Sequence, residues 1–224
     1  MADLVWDSDS FCSALTAALT ASLAEFSAAS LANAVAGCAA AAEAVCSGRP
    51  MACAAGCPHC CVLNVAVLLP EAMVIADRQQ GRLHPEALAT LRGRLAAHRN
   101  WGRWMDDEER IVRKVVCPLL DEAGSCSIHQ VRPLACRGVS ALDRLCCQEA
   151  FDPIIGEQER GVPADLMRRA AFDAAFIALA TALGSRGLDN RSIELGTGVL
   201  AFLESPDCRE LLLSGGRLPR ALWE

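Results

Sequence analysis

Nine cysteines crowd the stretch from Cys53 to Cys147 of this 224-residue chain. They open as Cys53-x3-Cys57-x2-Cys60-Cys61 and continue as Cys117, Cys126, Cys136 and the adjacent pair Cys146-Cys147. A thiolate is a soft anionic donor, and three or four of them converging at about 2.3 Å close a metal site. Gly56 and Pro58 lie between ligands of the first group, where the backbone must curl. Neighbouring side chains point apart, so each cysteine doublet would serve two ions, or two irons of one cluster. Nine thiols fill two four-thiolate sites with one over, or one cluster and a smaller site, and the spacing leaves both partitions open. Zinc and iron-sulfur centres both accept thiolate. The surplus beyond four and the doublets favour an iron-sulfur cluster over zinc or iron ions. His59 and His129 are further candidate donors, pointing to zinc or a mixed cluster, set against their plainer reading as polar loop residues.

Four thiolates around a divalent ion carry an excess of two negative charges. Arg132, Arg137 and Arg144 fall inside the ligand segment. Arg132 and Arg137 are the candidate cofactor-binding cations, donating to cluster sulfurs or holding an anionic substrate beside the metal. The bland alternative is solvated charge. Cys12, Cys38 and Cys208 sit among apolar helical residues and read as small buried hydrophobes, with Cys46 less clear because it lies close before Cys53. The acidic run Asp106, Asp107, Glu108 and Glu109 reads as a solvated helix start rather than a catalytic pair.

The thirteen cysteines are an odd number, which disfavours complete pairing. Met1 to Ser10 carries Asp3, Asp7 and Asp9 and no Lys or Arg, unlike the start of a secretory signal. A cytoplasmic chain with free thiols is the expectation, and clustered free thiols at short spacings hold metal. A net charge of -6 and a pI near 5.3 exclude a general nucleic-acid binder, which needs a cationic face.

Helices must position these thiols, because Ala supplies much of the 53% hydrophobic content while aromatics are only 4% and Tyr is absent. Phe11, Leu15, Leu19, Leu23, Phe26, Leu31 and Val35 recur at roughly helical spacing, predicting one long helix or two short ones over 10–45. Thr, Ser, Glu25 and Asn33 interrupt that stretch, so no membrane span is expected. Ser47-Gly48-Arg49-Pro50 ends it. Val62 to Leu69 is a buried strand or packed loop, and Pro70-Glu71 opens a helix reaching about Gln80. Leu88, Leu91 and Leu95 mark a helix over 85–101. The segment 117–147 holds Pro118, Gly124, Pro133 and Gly138, and predicts irregular chain with short helices or a small hairpin. Helical patterns return over 165–183, 191–203 and 208–213. The fold class is mainly α, with helices packed around an irregular cysteine-rich metal-binding centre. The expected organisation is a single domain over 1–224, divided into an N-terminal helical segment (10–47), the cysteine-cluster core (53–147) and a C-terminal helical segment (163–224).

Three motifs are more specific: Cys57-Pro58-His59-Cys60-Cys61; Cys117-Pro118-Leu119-Leu120-Asp121 with Gly124-Ser125-Cys126-Ser127-Ile128-His129; and Arg132-Pro133-Leu134-Ala135-Cys136-Arg137. Together they resemble the YkgJ-type cysteine-cluster proteins, a family described as zinc- or iron-chelating. The resemblance spans about Cys53 to Cys147. It implies that Cys53, Cys57, Cys60, Cys61, Cys117, Cys126 and Cys136 occupy ligand positions, with Cys146 or Cys147 as a further one. His129 departs from the pattern, standing where such proteins often carry an aromatic residue. A related domain occurs in flagellin lysine-N-methylases, which keeps an enzymatic role in view by analogy.

The residues therefore predict a metal- or cluster-binding protein that transfers electrons, senses redox state or handles metal. The alternatives are a cluster-dependent enzyme resembling a lysine methylase, or a structural zinc scaffold for a protein partner. Cys53-x3-Cys57-x2-Cys60 matches the three-cysteine spacing of radical enzymes literally, but a helix-rich chain of this length offers too few strands for their barrel.

Overall fold

The computed structural model describes residues 6–151 and 161–224. Ten helices are present among them, with one antiparallel pair of three-residue strands. Helix α1 (Ser8–Ser22) starts on the Asp7 carboxylate, which accepts from Asp9 N and Ser10 N. Helix α2 (Ala28–Val45) starts on a reciprocal cap between Ser27 and Ser30. That cap decides the choice left open by the sequence, giving two helices in place of one.

Strand β1 (Ala66–Leu68) leads directly into α3 (Leu69–Arg82), whose first turn carries Pro70. Helix α4 (Pro85–Gly102) again begins with Pro. Helix α5 (Asp107–Val112) is the acidic run read as a helix start, and Asp106 caps it by accepting from Glu109 N. Helices α6 (Leu134–Gly138) and α7 (Arg144–Ala150) are the short helices inside the cysteine segment. Helices α8 (Leu166–Ser185), α9 (Leu195–Glu204) and α10 (Pro206–Leu213) complete the chain. The predicted helical stretch from Arg191 instead begins as strand β2 (Ser192–Glu194), and helix follows only from Leu195. Pairing with β1 pulls those residues out of the helix, with Val67 opposite Ile193 and Leu195 N donating to Val65 O at 2.9 Å.

Two helices organise the core. Helix α8 packs against α1, α2 and α6 through Ala171, Phe172, Ala175, Ala178, Leu179 and Ala182. Helix α9 is buried along Leu195–Leu203 and packs against α3 and α4. At Gly198 an added Cβ would lie 2.7 Å from Ile193 Cγ2 and 3.0 Å from Ala72 Cβ, so this contact requires glycine. Helix α2 is the one described helix long and apolar enough to cross a membrane; its buried Leu31, Ala34, Cys38 and Ala42 belong to the core.

Glu71 joins these layers to the cysteine segment. Its carboxylate is buried, and accepts from Leu68 N at 2.8 Å and from Leu134 N at 2.8 Å. One side chain thus holds the first turn of α3 and the first turn of α6, the helix that carries Cys136.

Candidate metal centre

Three separated pieces of backbone bring the thiols together. In the first, Gly56 adopts φ +80, a conformation that suits glycine, and turns the chain between Cys53 and Cys57. A single 3-10 turn over His59–Val62 then presents Cys60 and Cys61. In the second, Cys117 N donates to Cys61 O at 2.7 Å. Beyond it lies the small hairpin, where Leu120 bridges Cys126 and the Asp121 carboxylate accepts from Ala123 N and Ser125 N around Gly124 at φ +74. In the third, α6 supplies Cys136.

The result is one cavity of about 310 Å³ lined by Cys57, Cys60, Cys61, Cys117, Cys126 and Cys136. Arg132 and His129 line it too. Cys53 and Cys147 lie close enough to be felt electrostatically, since Cys60, Cys57 and Cys53 all act on the Cys147 thiol. Cys53 Sγ accepts from Ala141 N at 3.3 Å, tying the first piece to the chain before α7. Cys146 is the more exposed of the last doublet, while Cys147 is 5% exposed. All thirteen cysteines are free. The thiols share a cavity rather than a point: no three His, Cys, Asp or Glu side chains among the described residues converge to hold one ion.

Burial sets the electrostatics. It pushes the Cys117 thiol up to about 12 and raises Cys136 and Cys126 as well. Cys60 moves the other way, downward, because the Cys61 thiol donates to its sulfur and Arg132 stands near. Cys61 is correspondingly raised by the same contact and by burial. Arg132 lowers Cys60, Cys126 and Cys136 together, which makes it the cation common to the cavity thiols.

The two arginines singled out in the sequence part company here. Arg132 lines the cavity, and its buried Nε has no hydrogen-bond partner among the described residues. Arg137 is committed elsewhere: its guanidinium donates to Arg132 O at 2.8 Å, to Gln130 O at 2.8 Å and to the Glu43 carboxylate. It braces the loop before α6 against α2. Arg144 is exposed at the start of α7. His59 Nε2 is buried without a hydrogen-bond partner among the described residues, and His59 does not line the cavity.

Sequence reasoning missed part of the lining. His98, Arg110 and Glu194 face the same cavity from α4, α5 and β2. The signal for His98 was present, because it continues the inward row Leu91, Leu95 by one more turn. Burial holds its imidazole below the ordinary value, with Arg110 pushing the same way and Glu194 opposing.

The donor set fits zinc or iron. Buried thiols resist ionisation until a cation replaces the proton, and soft thiolates select such metals. Arg132 Nε, on the cavity wall and without a hydrogen-bond partner among the described residues, is what a centre with its own charge would engage. Residues 52–152 match the model of the CxxCxxCC family, whose description is "putative zinc- or iron-chelating domain". This agrees with the resemblance drawn from the motifs. No curated protein and no solved structure matched the chain.

Proposed function

We propose that this chelating domain carries an iron-sulfur cluster, and that the protein transfers electrons or senses redox state in a reducing cytoplasm. Cys60, Cys61, Cys117, Cys126 and Cys136 are the central ligands, with Cys53, Cys57 and Cys147 beside them. One observation carries the reading: three chain segments far apart in sequence deliver six thiols to a single buried cavity, with Arg132 as their common cation. The cavity volume far exceeds the ~30 Å³ share of one water-sized species, leaving room for a multi-atom cluster. Cys147 is favoured over Cys146 as the last ligand because its thiol feels Cys60, Cys57 and Cys53. When bound, such a centre supplies one-electron chemistry. The chain's own part is to hold the thiols, exclude water and place Arg132 against the sulfur charge.

Anaerobic purification followed by iron, sulfide and zinc analysis and an absorption spectrum tests this. A brown protein with iron and sulfide in comparable amounts and broad visible absorption is expected. A colourless protein with stoichiometric zinc would overturn the cluster and leave a zinc centre. The zinc reading draws on one feature, the scarcity of regular structure between Arg113 and Pro133, a stretch a structural ion would fix.

A further inference from the structure

An open groove lies against the outside of the thiol cavity. Its lining includes Arg94 and Trp101 from α4, and Arg113, Lys114 and Val116 from the chain that follows α5. His98, Cys117, Pro118 and Leu120 line both the groove and the cavity, so a single layer of residues parts them. Spacing builds one rim: Arg94, His98 and Trp101 recur four and three residues apart on α4, with His98 buried and the other two exposed. Trp101 is 67% exposed, and Trp104, just past the helix, is 73% exposed with the Arg103 guanidinium 4.5 Å from its ring centre. Val112 and Val116 add exposed apolar surface. Arg94, Arg113 and Lys114 are exposed and form no ion pair among the described residues. Arg94 donates to Leu120 O at 3.1 Å, which fixes its charge at the rim. Lys114 holds φ +51, a conformation glycine adopts at lower cost, so this turn carries a cation at the expense of backbone strain. Asp121 is the one acidic residue in the described lining, and its Oδ1 already accepts from Ala123 N and Ser125 N.

We propose that this groove docks a small acidic protein that carries one electron, and that the carrier passes its electron to the thiolate centre across the Cys117 wall. The proposal rests on the reading of that centre as an iron-sulfur cluster. The step moves one electron: the reduced carrier is oxidised, the centre is reduced by the same amount, and no bond forms or breaks. Charge complementarity chooses the occupant. A chain of net charge -6 repels an acidic protein as a whole, so a cationic groove is the local exception that steers such a partner to one place. Trp and Arg are the side chains that most often anchor an interface once water is excluded from it. Electron-transfer encounters bury less than about 1,200 Å², so a short groove flanked by two tryptophans suffices. The occupant is a protein rather than a nucleic acid, because three cations displace few counterions from a phosphate chain.

The test mixes the full-length protein, purified anaerobically with its centre loaded, with a reduced two-iron ferredoxin of the plant type as the acidic carrier, and follows the centre's absorption by stopped flow. A photoreduced deazaflavin serves as a small reductant that needs no docking. The ferredoxin rate is expected to fall as salt rises, and to drop about tenfold or more in Arg113→Glu/Lys114→Glu and, independently, in Trp101→Ala. The same change of net charge outside the groove, Arg217→Glu/Arg220→Glu, leaves that rate nearly unchanged, and deazaflavin reduces every variant as it does the parent. Circular dichroism and metal content confirm that each variant is folded and loaded. A rate that rises with salt, or an equal loss in the two charge-reversed pairs, overturns the proposal. So does a groove that binds a single-stranded oligonucleotide more tightly than ferredoxin, or that pairs two copies of this chain in sedimentation. The two readings fail differently: a centre reduced by deazaflavin but not by ferredoxin sinks the docking groove alone, whereas one that neither reduces sinks the cluster reading and the groove with it.

Discussion

Cys38 and Cys126 are the same residue in two regions governed by different rules. Cys38 lies in the helical shell, fully buried on α2 within the hydrophobic core, with its thiol pushed up to about 12 by burial. Cys126 sits in the central segment, on a hairpin held by turns and an Asx contact, facing a cavity shared with five other cysteines. The shell derives its stability from apolar area that any well-shaped side chain could supply. The centre joins that core through Leu119, Ile128 and Leu134, and adds to it a cavity walled by thiols. Residue type alone does not assign a role to a cysteine; the density of other thiols around it does.

Metal removal should separate the regions most strongly. Structural metal supplies about 10–16 kcal/mol in small peptides, so a chelator should abolish amide protection over 117–137 while α1, α8 and α9 retain theirs by hydrogen exchange. Uniform loss of protection would erase the distinction. Next in size, Leu179→Ala in the fully buried face of α8 should cost about 2–5 kcal/mol by denaturant unfolding and leave metal stoichiometry intact.

Glu71 bridges the two regions and gives a pH handle. Burial raises its carboxyl to about 7 from 4.5, against the lowering pull of Leu134 N–H, Leu68 N–H and the Arg137 charge. The neighbouring Cys38 thiol on α2 senses its charge in turn. The folded state therefore binds this proton more tightly than the unfolded chain. Its contribution is complete below about pH 4.5 and is lost as pH rises through about 7. Denaturation at pH 5.5 and pH 8 should show that slope, and Glu71→Gln should flatten it while costing roughly 1–3 kcal/mol at the lower pH. Smallest of all, Cys38→Ala should cost about 1 kcal/mol with no change in bound metal. A Cys38 variant that lost metal would break the contrast at its starting point.

Much of this was legible in local pattern. Leu15, Leu19 and Leu23 announce α1, Pro70 and Pro85 mark the starts of α3 and α4, and Gly124 marks the hairpin turn, because each signal acts within a few residues. The motifs likewise identified six cysteines that the fold assembles. What stayed hidden depends on partners distant in sequence. Ser192–Glu194 reads as helix until β1 pairs with it, and Glu71 looks like an ordinary first-turn acid until Leu134 arrives. Arg137 sits in the most recognisable motif, yet its fork closes on Gln130, Arg132 and Glu43, a destination that no spacing rule encodes.

The β1–β2 pairing has a consequence for biosynthesis. Ribosomes release the chain amino end first, at roughly 5–20 residues per second. Every cavity thiol is therefore translated seconds before Ser192–Glu194 exists to pair with Ala66–Leu68 and bring Glu194 to the cavity. During that interval the group of nascent thiols lacks the wall that Glu194 supplies to the finished cavity.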